Sequence, residues 1–190
     1  MRTQAKYVVT AVVLGALVTG CAETKTSGAE GAERARSDMN MQEAADRADA
    51  LLDLTFKAIR PPVQWAHGDT TTGSCDLSRR RVVMTVISEQ MRGSFLGVVE
   101  RAWEKADVRI TNVNKNKEFP ALYAKTADGF GLRLSIAGEG QAFFEVATPC
   151  VEESEVAEPT AEPNGPSYKD VDPIPRPNVR SPFWSADKAP

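Results

Sequence analysis

Three cysteines, a single histidine and a few short polar runs are the residues of this 190-residue chain whose chemistry has to be weighed first. Any histidine-dependent catalysis must pass through His67. It stands in His67-Gly68-Asp69, ahead of Ser74, and a Ser-His-Asp set is recognised by geometry rather than by chain order. A hydrolase built on His67 therefore needs a carboxylate or hydroxyl against that ring in the folded domain. No Gly-x-Ser-x-Gly elbow is present: Gly93-Ser94 continues wrongly for one, and Ser94 reads as a helix N-cap. Zinc asks for clustered Cys and His, which the sequence does not offer. Asn112, Asn114 and Asn116 supply neutral oxygens without carboxylates, which suits side-chain turns better than a calcium loop. Gly138-Glu139-Gly140 lies between two runs of strand character, so it reads as a hairpin turn; a phosphate cradle must feed a helix N-terminus. No metal and no cofactor are expected.

The first twenty residues have the three parts of a secretory signal. Arg2 and Lys6 are followed by an apolar stretch from Tyr7 to Val18 and the small residues Thr19 and Gly20. The stretch is shorter than the roughly 20 apolar residues a spanning helix needs, and Glu23, Lys25, Thr26 and Ser27 follow at once. Val18-Thr19-Gly20-Cys21 resembles the lipobox of bacterial lipoproteins, with valine where leucine is commonest. The resemblance implies that the Cys21 sulfur receives a diacylglycerol, that the signal is cut before it, and that Cys21 becomes the new N-terminus. Two or more acyl chains make a stable anchor where one does not, so the expected location is the extracytoplasmic face of a cell membrane.

With Cys21 assigned to lipid, Cys75 and Cys150 remain, in a compartment that permits oxidation. A Cys75–Cys150 disulfide is expected, with a pair of free buried thiols as the alternative. Removal of the signal subtracts Arg2 and Lys6 from a formal charge of −3. The resulting mild acidity gives no electrostatic footprint for nucleic acid.

The elements that must position these residues are legible as periodicities. Ala22 to Ser37 is rich in small and charged residues and reads as a flexible tether. Asn40 and Glu43 have the spacing of a reciprocal N-terminal cap. Met41, Ala45, Ala48, Leu52, Phe56 and Ile59 then form one apolar stripe, ended by Pro61 and Pro62. Trp65 to Asp76 reads as a polar loop. Arg81 to Ser88 reads as a strand covered on both faces. A second helix is expected from about Ser94 to Ala106, on the spacing of Phe95, Val98, Val99, Ala102, Trp103 and Ala106. Four strands follow: 108–113, 121–126 leading to Asp128-Gly129, 131–137 and 141–148. Past Val151, eight of the twelve prolines and a cluster of glutamates predict disorder. Phe183-Trp184 near its end fits either a short partner-binding motif or an aromatic pair docked on the domain.

The expected architecture is α+β: two helices on one face of a five-stranded, mainly antiparallel sheet, in the order α-β-α-β-β-β-β, with one disulfide. Its parts are a signal peptide (1–20), a tether (21–38), the domain (39–151) and a disordered acidic Pro-rich tail (152–190). If Cys75 precedes the first strand and Cys150 follows the last, those strands must be antiparallel and close together. The lipobox, one-disulfide domain, Thr148-Pro149-Cys150 and polar tail together resemble small actinobacterial lipoproteins of unknown function. The expected function is a non-enzymatic binding or accessory module at the cell envelope, with Trp65, His67 and Asp69 as the candidate binding loop. Its partner would be an envelope protein, a wall polymer or a small ligand. The alternative is an envelope hydrolase using His67.

Overall fold

The computed structural model describes residues 39–172 and 175–188. Cys21 and the segments read as signal and tether lie outside the described residues. Helix α1 runs Met41–Ala58, and its start is the reciprocal cap read from the sequence. The Glu43 amide donates to Asn40 Oδ1 at 3.0 Å and the Asn40 amide to Glu43 Oε2 at 2.9 Å. Two donors that the first turn leaves without helical partners are thereby satisfied.

Seven strands make one antiparallel sheet: β1 (Trp65–His67), β2 (Thr71–Thr72), β3 (Leu77–Val83), β4 (Arg109–Asn114), β5 (Ala121–Lys125), β6 (Gly131–Ile136) and β7 (Ala142–Ala147). Their order is β1-β3-β7-β6-β5-β4, with β2 beside β1 on the same flank of β3. Helix α2 (Arg92–Lys105) sits between β3 and β4 in the chain. The class is α+β as expected, but seven strands replace five. The stretch read as a polar loop folds back on β3 as two short strands. β3 also starts at Leu77 and ends at Val83, so three consecutive arginines lie inside a strand expected only from Arg81. α2 begins at Arg92 with Met91 in the cap position, which leaves Ser94 inside the first turn.

Both helices pack on one face of the sheet. Phe144 of β7 meets Phe56 of α1 at 4.8 Å and Phe95 of α2 at 6.1 Å between ring centroids. The helices are also joined by a buried hydrogen bond: Trp103 Nε1 donates to Thr55 Oγ1 at 2.8 Å, and that hydroxyl donates to the Leu51 carbonyl. β3 and β7 are antiparallel neighbours, with Ser78 opposite Ala147, and Cys75 is bonded to Cys150 just beyond that end. The Glu139 and Gly140 backbones take φ of 60° and 73° in the turn from β6 to β7. At Gly140 a Cβ would be driven into the Ile87 carbonyl, so only glycine fits.

The acidic Pro-rich segment is not a disordered tail over 152–172 and 175–188; it is a strap wound round one edge of the sheet. It leaves β7 beside the start of α1, where the Met41 amide donates to the Glu152 carbonyl. At β1 it supplies the partners an open edge lacks. The Trp65 amide donates to Asn164 Oδ1, and the Gly165 amide donates to the Trp65 carbonyl, both at 2.9 Å. A side chain at Gly165 would collide with the Trp65 backbone. The strap then crosses the outer face, where Tyr168 and Val179 pack on Ala66, Val82, Met84 and Phe143. It ends with Trp184 in the main core at 1% exposure. Trp184 meets Phe95 edge-on and donates from Nε1 to the Pro61 carbonyl at 2.6 Å. Composition alone misjudges the strap because its order is imposed by the domain: it has no core of its own, but it completes one. At the far flank β4 has no further strand beside it among the described residues, and it is irregular between Ile110 and Asn112.

Candidate functional site

The sheet alternates, so β3 sends Arg79 and Arg81 to the helix-covered face and Arg80 to the other. The two inner guanidiniums are 2% and 1% exposed. Each finds a carboxylate on α1: Arg79 Nε lies 3.3 Å from Asp49 Oδ2, and an Arg81 amino group 2.6 Å from Asp53 Oδ1. Asp49 and Asp53 are one helical turn apart, which sets them over alternate strand residues. The Arg81 guanidinium also lies 4.1 Å from the Trp65 ring centre, a desolvated cation–π contact. Burial pushes the Asp49 carboxyl above its ordinary range, against the opposing pull of Arg79 and Arg81. The two guanidiniums are sealed while the Asp53 carboxylate stays open to solvent, and the cluster holds the strap: Arg79 donates to the Ala157 carbonyl at 2.6 Å.

The candidate loop is divided by the same alternation. Trp65 is buried at 8% exposure. His67 Nε2 lies 2.7 Å from the Ala161 carbonyl; because a carbonyl only accepts, that nitrogen carries the proton. Among the described residues no carboxylate or hydroxyl is hydrogen-bonded to His67. The condition set for a His67 hydrolase is therefore unmet, and Ser74 lies exposed in a separate turn. Asp69 alone of the three reaches an open surface. Asn114 and Asn116 accept from amides two and three residues ahead, the side-chain turns expected of them. Among the described residues no group of three or more His, Cys, Asp or Glu is placed to hold a metal ion. Nor is any described helix long and apolar enough to cross a membrane.

The open surface is the outer sheet face. Strand register sets Arg80, Glu145, Arg133, Tyr123 and Asn112 in one row across five strands. Glu145 stands between two cations: Arg80 Nε donates to its Oε2 at 2.6 Å, and an Arg133 amino group donates to the same oxygen at 3.0 Å. Arg80 is further held by the Asp69 carbonyl and the Thr71 hydroxyl, which is what β2 and the adjoining turn contribute. Two hollows flank this triad and share Arg133 and Glu145. One, of about 370 Å³, is walled by Asp69, Val82, Phe143 and the strap's Tyr168. The other, of about 500 Å³, lies over Thr111, Tyr123, Lys125 and Thr148. Tyr168 packs edge-on to Phe143 with ring centres 6.3 Å apart. Its burial raises the phenol's pKa above the ordinary value.

No family model matches the chain, and no curated protein shows significant similarity to it. Among solved structures it is similar to a DUF4853 family protein from Actinomyces odontolyticus, at 9% identity and a TM-score of 0.41. The match covers 74% of this chain and 78% of that one.

The row Arg80–Glu145–Arg133 escapes inspection of the sequence because it exists only through register. The one available signal is the alternation of charge with apolar residues in Leu132-Arg133-Leu134 and Phe144-Glu145-Val146, which marks a solvent face without saying what meets there.

Proposed function

We propose that this chain is a lipid-anchored protein of the extracytoplasmic membrane face whose α+β domain is a non-enzymatic binding module. Its ligand seat is the outer sheet face. The anchor rests on the likeness of Val18-Thr19-Gly20-Cys21 to a lipobox. The Cys75–Cys150 disulfide agrees with export, because such bonds persist in oxidising compartments. The observation that carries the binding reading is the pair of hollows meeting at Arg133 and Glu145. Aromatic and hydrogen-bonding side chains converge there on a rigid sheet, as ligand sites require.

Two measurements test the two halves of this reading. Labelled palmitate is expected on the wild-type chain and absent from Cys21→Ala; label kept by the variant sinks the anchor. For the seat, a photoreactive residue replaces Ser135, which lines the first hollow, or Glu104, exposed on α2. In intact envelopes, adducts are expected from position 135 and not from 104. Equal adducts from both positions, or none from 135, would remove the outer face as the seat.

A further inference from the structure

The two hollows carry more positive charge than their carboxylates offset, Arg80, Arg133 and Lys125 against Glu145 and Asp69, in a chain whose formal charge is −3. One carboxylate oxygen of Glu145 serves both Arg80 and Arg133, so the triad keeps a net charge of about +1. The two arginines are not equivalent. Arg80 is committed to Glu145, the Asp69 carbonyl and Thr71. Arg133 is 46% exposed and gives one amino group to Glu145. Of the five N–H donors on its planar fork, the rest have no partner among the described residues. That fork stands where the two hollows meet. In the second hollow Lys125 forms no ion pair among the described residues. Lys125 is opposite Gly131, two residues before Arg133, which separates the two Cα positions by about 8 Å from strand spacing and rise. Two cations, spaced along a shallow channel, thus face outward. The channel's walls are amphipathic rather than greasy: the rings of Tyr168, Phe143 and Tyr123, with Ser135 and Thr111 between them.

From this arrangement we infer that the channel binds an acidic glycan. Resting on the outer-face reading above, the inference assigns successive oxyanions of the polymer to Arg133 and Lys125. The flat apolar faces of its sugar rings lie against Tyr168 and Tyr123. A guanidinium fork takes carboxylate and phosphate oxygens in pairs, so the oxyanion is either a uronate carboxylate or a phosphodiester. Nucleic acid is disfavoured by the acidic balance of the chain, since it asks for a broad basic field.

Titration calorimetry on the full-length protein in detergent tests the assignment with three probes: an oligogalacturonate, a phosphodiester-linked polymer of N-acetylglucosamine and neutral dextran. Binding is expected for at least one charged polymer and not for dextran, and which polymer binds identifies the oxyanion. Arg133→Gln should weaken it about tenfold or more, the loss of one charge-assisted contact. Arg133→Lys should restore part of the affinity, as charge without the fork. Tyr168→Ala should weaken it too, while Lys105→Gln on α2 should not. Raising salt from about 0.05 to about 0.5 M should weaken it as well. Dextran binding equal to the charged polymers, or affinity untouched by Arg133→Gln, would overturn the inference. If neither charged polymer binds while position 135 still yields adducts, the glycan assignment fails and the binding face stands. If both fail, so does the face.

Discussion

Replacing Trp184 by alanine tests whether the strap belongs to the folding unit. The indole is 1% exposed, edge-on to Phe95, and hydrogen-bonded to the Pro61 carbonyl. A buried tryptophan removes on the order of 150–250 Å² from water, or about 4–6 kcal/mol at about 25 cal/mol per Å². A denatured chain that is already partly compact trims this to roughly 3–4 kcal/mol. The lost hydrogen bond adds about 1 kcal/mol. The expected loss is therefore about 4–5 kcal/mol, in the range for Trp→Ala in a core and a large share of the 5–15 kcal/mol a domain typically holds. Urea unfolding followed by circular dichroism reads it directly. A lower midpoint at unchanged slope means that the core lost contacts; a smaller slope as well means that the native strap came away. Phe183→Ala, at a half-buried neighbour, should cost clearly less. A loss below about 1 kcal/mol for Trp184→Ala would refute the reasoning and return the segment to the status of a tail.

Three further outcomes follow from features already described. The double variant Cys75→Ala/Cys150→Ala reopens a loop with a sequence separation of 75 and should lose up to about 4–5 kcal/mol, read by the same urea titration; stability within about 1 kcal/mol of wild type would deny the bridge that role. Asp49→Asn should change the pH profile of stability. The folded Asp49 pKa is raised by burial, so its contribution is present below the ordinary value and lost as pH rises through the folded one. The wild type should fall relative to Asp49→Asn as pH rises above about 4, at no more than about 1.4 kcal/mol per unit; a stability difference, wild type minus variant, that is constant or that increases with pH contradicts this. Gly140→Ala, which meets both a positive φ and the Ile87 carbonyl, should cost more than the ~1 kcal/mol of conformational strain alone, measured as a shift of the thermal midpoint.

What the sequence disclosed and what it hid divide along a physical line. The cap of Asn40 with Glu43, the apolar stripes of both helices and the turns of the β5–β6–β7 meander are local, and each is visible within a dozen residues. The pairing of Cys75 with Cys150 is legible too, because once Cys21 is read as the lipid-bearing cysteine a single intramolecular pairing is left. The start of β3 is hidden because Arg79 and Arg80 look like solvent residues until Asp49 and Glu145 pair with them. His67 and Trp65, chosen from a polar stretch, turned inward for the same reason. The Glu145 triad and the strap's path depend on residues brought together from far apart in the chain, and no periodicity records such meetings.

The winding of the strap round β1 also limits how copies of this molecule can add to one another. A sheet with two open edges is a template that can be extended at both ends, and extension repeated is a fibre. Here Asn164 and Gly165 occupy the backbone groups of Trp65, while β2 has only two residues to offer. Among the described residues, strand-to-strand addition is left to β4. Two copies meeting there antiparallel would make a self-complementary pair whose outward flanks offer only the two-residue β2 and the strapped β1, which disfavours further strand addition.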